Sequence, residues 1–237
     1  MSLKELLVDA RKRYKIRREQ PQLWHFEQQG FGYIQIPKVA TRSIRKALHV
    51  SSGATTELND FTAFESDNSA HVSKKHIRRQ VDQGLFVFAF VRDPLARLHS
   101  AWVNKIVDGE KFGRRNILRC HGMHYGMSFA DFVRRVSELK DNQVDRHIRS
   151  QAWFLADEKG LLPQFVGQLE RFGDDWQRLQ AQLPTLGNVD HMNKAAFNMD
   201  HLAAYDDRTL ELAVERFAKD FELFGYSVPE LKKGDAP

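Results

Sequence analysis

The sequence predicts an α/β protein in which a central parallel sheet is flanked by helices on both faces. Residues 31–36 form a short apolar, β-rich segment that runs into Pro37, and a helical pattern follows at once. Residues 85–91 are apolar at every position, as expected of a parallel strand that is covered on both sides. Asp93-Pro94 then provides a helix cap and a first helical residue. Two strand–turn–helix units in one chain favour a parallel sheet.

Local periodicity and capping residues predict the other elements. Ser128 and Asp131 resemble a capping box, and Gly225 is placed to end the last helix. The predicted elements are helices over about 3–19, from about 41, over about 94–106, over about 128–139, from about 174 and over 209–221, with a third strand over 164–169. Residues 50–70 are rich in Ser, Thr, Asp and Asn and lack periodicity, so we expect a loop there, beside the site.

Composition limits the class of protein. The chain has 237 residues, of which 42% are hydrophobic and 28% charged, and this excludes a disordered or collagen-like chain. Repeats and low-complexity linkers are absent from the sequence, so we expect a single domain over residues 1–237 with a short flexible tail at about 230–237. The single Cys120 excludes an internal disulfide and a C-x-x-C zinc site. The longest apolar run, residues 85–91, is too short to cross a bilayer, so we expect a cytoplasmic protein without a membrane span.

Six basic residues crowd the predicted N-terminal helix and contribute to the formal net charge of +5. They are Arg11, Lys12, Arg13, Lys15, Arg17 and Arg18. Such a cluster can be the solvated face of a helix, or it can bind nucleic acid, acidic lipid or an anionic polymer. The other charges are mixed in sign, and no zinc-finger, RNP or helix-turn-helix signature occurs. We therefore expect no nucleic-acid partner.

The first of two candidate ligand sites is the turn after the first predicted strand. Its residues are Ile36-Pro37-Lys38-Val39-Ala40-Thr41-Arg42-Ser43, which carry a lysine and two hydroxyl groups into a helix N-terminus. Unpaired backbone N–H groups and the helix dipole attract anions at such a position, so the turn suits a phosphate or sulfate. It lacks the glycines of a Walker A loop, which makes a nucleotide triphosphatase a poor interpretation.

The second candidate site follows the apolar strand over residues 85–91. Arg92 leaves that strand, and Ser100 lies two helical turns into the next predicted helix. One guanidinium and one hydroxyl group can hold a second phosphate. Either turn alone can also be an ordinary connection between a strand and a helix, and it is their combination that predicts a ligand with two anionic groups.

Together these residues resemble the sulfotransferases that use 3′-phosphoadenosine 5′-phosphosulfate (PAPS), especially the carbohydrate branch. Ile36-Pro37-Lys38-Val39 with Ser43 is similar to the family's 5′-phosphosulfate loop, and Val91-Arg92-Asp93-Pro94 with Arg97-Leu98 and Ser100-Ala101-Trp102 to its 3′-phosphate motif. Segments that include His147 to Gln151, Phe165-Val166-Gly167 and Asp220 to Tyr226 resemble its C-terminal segments. The resemblance covers roughly residues 33–226 and implies a three-layer, P-loop-like fold.

The resemblance also implies a reaction and a set of site residues. A sulfuryl group passes from PAPS to an acceptor hydroxyl, expected on a glycan, and adenosine 3′,5′-bisphosphate is released without a metal. The implied donor-binding residues are Pro37, Lys38, Val39, Ala40, Thr41, Arg42, Ser43, Arg92 and Ser100, with Lys38 also catalytic. His71, in His71-Val72-Ser73, is similar to the histidine that serves as general base in the uronyl 2-O-sulfotransferases. Glu65 and His76 are the substitutes for that role.

Two positions depart from the family pattern. Ala40 stands where many members have glycine, and because alanine rarely adopts positive φ we expect a turn of different shape. Arg42 stands where Thr or Ser is common, so a charged contact would replace a hydroxyl contact. Golgi members of the branch carry an N-terminal membrane anchor that we do not find in this sequence, which implies a soluble enzyme of bacterial type.

Other functions stay open at the level of sequence. A non-catalytic nucleotide- or polyanion-binding protein can retain the same fold, and a nucleotide-dependent kinase shares the design of its phosphate site. Cys120-His121 with His124 is a weak metal pattern, because a fourth ligand at suitable spacing is missing.

Overall fold

The computed structural model describes residues 3–53, 61–189 and 201–230. The strands are β1 (Gln22–Phe26), β2 (Phe31–Gln35), β3 (Ser69–His71), β4 (Phe86–Val91), β5 (Ala156–Asp157), β6 (Gly160–Leu161) and β7 (Phe165–Gln168). The helices are α1 (Leu3–Arg18), α2 (Thr41–Ser51), α3 (Phe61–Asn68), α4 (Lys74–Asp82), α5 (Pro94–Trp102), α6 (Asp108–Lys111), α7 (Phe129–Ser137), α8 (Gln151–Leu155), α9 (Phe172–Gln182), α10 (Asp207–Arg216) and α11 (Ala218–Phe224).

The chain divides into two compact units. The sheet unit comprises residues 20–92 and 151–199, and the helical unit comprises residues 1–19, 93–150 and 200–237. A single domain over the whole chain stays a prediction, and the predicted tail lies, beyond residue 230, outside the described residues.

A five-stranded sheet in the order β3-β1-β2-β4-β7 forms the centre of the sheet unit. β2 pairs in parallel with β4, and β4 with β7, whereas β1 pairs antiparallel with both β2 and β3. Four strands therefore run in one direction and β1 runs in the other, which confirms the predicted α/β class with a mostly parallel sheet. β1 was not among the predicted strands; it is antiparallel because the turn over residues 27–30, with Gly30 at φ +72°, folds the chain back at once.

One face of this sheet is built of aromatic rings. The register places Trp24 opposite Tyr33 and Tyr33 opposite Phe88, so the three side chains lie in one row. The Phe64 ring of α3 lies 5.5 Å from the Trp24 ring, and the Trp176 ring of α9 lies 6.4 Å from the Phe88 ring. These two helices therefore cover the row and exclude water from the strands that lead to the candidate site.

β7 approaches β4 closely at Gly167. A Cβ atom built on this residue would lie 2.3 Å from Cε1 of Phe90, a distance that no real Cβ contact tolerates. Glycine is therefore required here for packing, which explains its place in the segment Phe165-Val166-Gly167.

The prediction of a loop over residues 50–70 is wrong for most of the residues in this range that the structure describes. Phe61–Asn68 forms α3 and Ser69–His71 forms β3. The Phe64 ring anchors α3 to β1 through Trp24 and Phe26, at 5.5 and 6.2 Å between ring centroids. Contacts between distant parts of the chain leave no periodic signal in the local sequence. Residues 54–60 lie outside the described residues.

The helical unit packs α5, α7 and α10 around an apolar core. Its buried members include Leu95, Leu98, Phe132, Val136, Leu210 and Phe217. The predicted helix starts are confirmed, because Oδ1 of Asp93 accepts the N–H of Ala96 at 2.8 Å and Oγ of Ser128 accepts the N–H of Asp131 at 3.1 Å. Within the described residues, we find no helix of the length and apolarity that a membrane span requires.

Candidate active site

The loop over residues 36–40 joins β2 to α2 at the carboxyl edge of the sheet. β2 and β4 are parallel neighbours, with Phe31 opposite Phe86 and Ile34 opposite Ala89. When this register is continued past its last pair, Pro37 lies level with Arg92. The first candidate turn and the arginine of the second therefore meet at the edge where open α/β sheets bind their ligands.

The backbone of this loop is left-handed at two residues that are not glycine. Lys38 has φ +72° and Ala40 has φ +39°. The expectation that Ala40 would avoid positive φ is therefore wrong, and the loop keeps a shape suited to glycine at a cost of about 1 to 2 kcal/mol per residue. Backbone strain of this kind concentrates at ligand sites, and left-handed residues in turns form concavities whose N–H groups bind anions.

The N-terminus of α2 is suited to receive an anion. No side chain caps it at Ala40, and its first turn contains no acidic residue. The N–H groups of Thr41, Arg42 and Ser43 have no acceptor within the helix, since the first N–H groups of an α-helix precede its hydrogen-bond ladder. The Thr41 hydroxyl donates to the carbonyl oxygen of Ile36 at 3.3 Å and closes the turn. The N-terminus of α5 differs, because the Asp93 carboxylate already occupies it.

A polar network braces α2 against the end of the sheet. Nε of Arg45 donates to Oε1 of Gln35 at 2.9 Å, and a terminal nitrogen of its guanidinium lies 3.1 Å from Oε2 of Glu65. Gln22 donates to Oε1 of Glu65 at 2.6 Å and accepts from Nε2 of Gln35 at 2.8 Å. Both carboxylate oxygens of Glu65 are therefore engaged, which favours a structural role over that of a proton acceptor.

His71 ends β3 at the same edge of the sheet as the loop. Gln22 lies opposite both His71 and Gln35, so the histidine is level with the end of β2, two strands away. Its side chain is exposed, and its Nδ1 lies 2.9 Å from the carbonyl oxygen of Gln20. Because a carbonyl oxygen only accepts, Nδ1 carries the hydrogen and Nε2 of the neutral ring keeps its lone pair. This is the tautomer that a general base requires.

His76, the other substitute base, has the opposite tautomer. Its Nδ1 lies 3.1 Å from a guanidinium nitrogen of Arg79, which can only donate. The lone pair of the neutral ring is therefore already engaged, and Nε2 carries the hydrogen. In His76 and Glu65 the proton-accepting atoms already bond to other side chains. Of the three candidate bases, His71 is the one whose proton-accepting atom, Nε2, is not engaged in this way.

Arg92 is held by a residue distant in the sequence. The backbone N–H of Arg92 donates to Oε1 of Gln151 at 2.9 Å, and Nε2 of Gln151 donates to the carbonyl oxygen of Arg92 at 2.7 Å. Gln151 is completely buried at the start of α8. Its amide therefore fixes the direction in which the chain leaves β4.

Comparison with known proteins decides the family. The chain matches the sulfotransferase family over residues 21–227. It belongs to that family. The matched range includes residues 36–43, which are the loop and the start of α2. It also includes His71 and Arg92 and extends through α11.

Carbohydrate sulfotransferases are among the relatives of this sulfotransferase-family chain. Carbohydrate sulfotransferase 14 of Danio rerio is 24% identical, and the match covers 86% of this chain and 61% of that protein. Carbohydrate sulfotransferase 10 of Homo sapiens is also 24% identical, and the match covers 84% of this chain and 65% of that protein. The chain thus spans about three fifths of the length of these relatives. No solved structure matches it.

Two residues of the second family motif lie in the helical unit. Ser100 is half-buried on α5, and its contact with a 3′-phosphate stays a prediction. Arg97 is buried and donates to the carbonyl oxygens of Arg149 and Arg146 at 2.6 and 3.2 Å. We therefore interpret Arg97 as a structural residue, because its side chain joins α5 to residues 146–149.

The weak metal pattern around Cys120 is engaged in packing. Nε2 of His121 accepts the N–H of Asp145 at 3.1 Å, and Nδ1 of His124 donates to the carbonyl oxygen of Tyr125 at 2.8 Å. Burial raises the pKa of the Cys120 thiol. In the three described stretches of the chain, no group of three His, Cys, Asp or Glu side chains is placed to hold a metal ion. A reaction without metal stays a prediction.

Proposed function

We propose that this protein transfers a sulfuryl group from PAPS to a hydroxyl group of a carbohydrate. The observation that supports this most strongly is the loop between β2 and α2, in which two left-handed residues precede an uncapped helix N-terminus beside Arg92. A helix N-terminus of this kind binds phosphate or sulfate. Two of its relatives are carbohydrate sulfotransferases, which supports a carbohydrate acceptor.

The donor would use both turns at the edge of the sheet. Lys38 and the N–H groups from Val39 to Ser43 suit the 5′-phosphosulfate end, and the Arg92 guanidinium suits the 3′-phosphate. The exposed guanidinium of Arg42 adds charge to the first turn, where many family members have a hydroxyl group. No carboxylate stands in the first turn of α2 to oppose an anion.

His71 and Lys38 would divide the chemistry between them. The acceptor oxygen forms a bond to sulfur as the bond from sulfur to the bridging phosphate oxygen breaks, and the hydroxyl proton passes to Nε2 of His71. Negative charge then gathers on the leaving adenosine 3′,5′-bisphosphate, where the Lys38 ammonium and the backbone N–H groups stabilise it. Positioning and electrostatic stabilisation supply most of the catalysis in the related transfer of phosphoryl groups.

Incubation with isotope-labelled PAPS and a panel of polysaccharides tests the proposal. We expect label in a carbohydrate product together with adenosine 3′,5′-bisphosphate, and no transfer from ATP with Mg²⁺. Binding of the bisphosphate without turnover of PAPS on any acceptor would favour the non-catalytic alternative, and transfer from ATP would favour a kinase. A cytoplasmic location and the absence of a nucleic-acid partner remain predictions from the sequence.

A further inference from the structure

A pocket of about 610 Å³ lies in the helical unit between α1 and the segment over residues 115–120. Its charged lining residues are Asp9, Arg11, Lys12 and Lys15 of α1 and Arg115 and Arg119 of the facing segment. The pocket includes part of the basic cluster that the sequence shows in α1, to which the proposed sulfuryl transfer assigns no role.

The two walls of this pocket are fastened together. Nζ of Lys12 donates to the carbonyl oxygen of Ile117, and Nε of Arg13 donates to the carbonyl oxygen of Cys120 at 2.8 Å. The Arg119 guanidinium lies 2.8 Å from Oε1 of Glu5 and 3.2 Å from Oδ1 of Asp9. These contacts tie α1 to the opposite wall, so the concavity is a fixed feature of the unit.

The charge of the lining is strongly unbalanced. Five of the lining residues are basic and one, Asp9, is acidic. Arg119 is paired with carboxylates, and Lys12 lies 3.6 Å from Oδ2 of Asp145. The other three cations, Arg11, Lys15 and Arg115, are exposed and have no carboxylate partner within the described part of the chain. Like charges gathered in a concave site raise the local concentration of anions there.

A further lysine, Lys105, interacts electrostatically with Lys12 of the lining. Burial lowers the pKa of Lys105, and the neighbouring cations Arg114 and Lys12 lower it further, against the opposing charge of Asp145. The Coulombic effect of Asp145 on Lys105 is larger than that of either cation, so the unbalanced charge is that of the pocket lining itself. A bound anion would supply the missing charge.

Size and geometry restrict the ligand. A volume of about 610 Å³ is that of a small-molecule site, and it is too small for a folded macromolecule. Two of the three unpartnered cations are arginines, whose planar fork binds tetrahedral oxyanions through two parallel hydrogen bonds. We propose that this pocket binds a sugar-sized ligand that carries two or more sulfate or phosphate groups. This site does not depend on sulfuryl transfer.

Calorimetric titration with sucrose octasulfate tests the site, with sucrose and inorganic sulfate as the reference ligands. All proteins carry Lys38→Ala, Arg42→Ala and Arg92→Ala, which removes the side-chain cations proposed for the active site. We expect sucrose octasulfate to bind at least about tenfold more tightly than sulfate, since several charge-assisted hydrogen bonds form at once, and sucrose not to bind. Binding in this background keeps the result separate from the fate of the proposed function.

Two triple variants separate the pocket from the net charge of the protein. Arg11→Ala, Lys15→Ala and Arg115→Ala together should weaken binding of sucrose octasulfate by at least about tenfold. The matched control removes the same charge from exposed cations outside the pocket: Arg17→Ala, Lys75→Ala and Lys159→Ala. It should retain most of the affinity. If the triple variant of the pocket does not fold, the single substitution Arg115→Glu takes its place in the comparison with the control, because it changes an exposed side chain.

Three outcomes would overturn the proposal. They are absence of binding by sucrose octasulfate, equal losses in the two triple variants, and binding to phosphatidylserine vesicles in place of the sugar. The last outcome would assign the basic residues of α1 to a membrane surface.

Discussion

The side-chain amide of Gln151 bonds both backbone polar groups of Arg92. It accepts the N–H at 2.9 Å and donates to the carbonyl oxygen at 2.7 Å, although the two residues are 59 positions apart. Gln164 makes a comparable pair of bonds at the other end of β4, to two different residues: it accepts the N–H of Val87 at 2.7 Å and donates to the carbonyl oxygen of Leu85 at 3.1 Å. One strand is thus held at each end by a glutamine, and only one of these ends carries the candidate site.

Replacement of Gln151 by leucine should affect both stability and ligand binding. Two partly buried backbone groups of Arg92 lose their partner, so we expect the free energy of unfolding to fall by about 2 to 4 kcal/mol. Affinity of the folded protein for adenosine 3′,5′-bisphosphate should fall more than affinity for adenosine 5′-phosphate, because Arg92 is displaced. Gln164→Leu is the matched control and should leave both affinities unchanged. Equal losses for the two nucleotides in Gln151→Leu would contradict the assignment of Arg92.

Relief of backbone strain in the loop should be measurable. Ala40→Gly removes the Cβ atom at φ +39°, and the gain outweighs the greater entropy of an unfolded glycine. We expect chemical denaturation to show a stability higher by up to about 1 kcal/mol. Lys38→Gly should show the same relief, at φ +72°, whereas Lys38→Ala should not. A loss of more than about 1 kcal/mol in Ala40→Gly would mean that the methyl group has a packing role that exceeds the strain.

Local patterns predicted the two strands and the turns that form the candidate site. The apolar run of β4 and the turn after β2 are properties of consecutive residues, so the meeting of the loop with Arg92 followed from a parallel sheet. The positive φ values of Lys38 and Ala40 were not predictable from residue type, since the surrounding fold imposes them. β1, β3 and the bond between Gln151 and Arg92 depend on contacts between distant parts of the chain, which leave no periodic signal.

His71 should be required for turnover and not for nucleotide binding. In the proposed reaction its Nε2 accepts the hydroxyl proton, so His71→Ala should lower kcat by about 10² to 10⁴-fold, the usual effect of removing a general base. The wild-type rate should fall on acidification, because a protonated imidazole cannot accept the hydroxyl proton, and this dependence should vanish in the variant. His76→Ala should preserve both the rate and its pH dependence. If the pH dependence persists in His71→Ala and is lost on substitution of Glu65 or His76, the base has been misassigned.

The stability of the protein should decrease as pH falls from about 6.5 to 4. Burial, aided by three neighbouring cations and partly offset by Asp145, lowers the pKa of His121 to about 4. Between its ordinary pKa and this value, the unfolded chain binds a proton that the folded chain does not, so acidification favours unfolding. The expected loss is about 2 to 3 kcal/mol in denaturation curves measured across this range.

The variant His121→Gln isolates this contribution. Glutamine can accept the N–H of Asp145 without titrating, so its stability should depend less steeply on pH in the same range. The exposed His25 provides the control, and His25→Gln should keep the wild-type slope. An unchanged slope in His121→Gln would mean that another group controls the acid sensitivity.

Calorimetric titration with adenosine 3′,5′-bisphosphate, with and without Lys38→Ala, tests the role of the loop between β2 and α2 most directly. It needs no knowledge of the acceptor. If this loop holds the 5′-phosphate end of the donor, the wild-type protein binds the bisphosphate, ATP with Mg²⁺ does not displace it, and Lys38→Ala weakens binding by at least about tenfold. Absence of binding by the wild type, or equal affinities for the two proteins, would contradict this assignment.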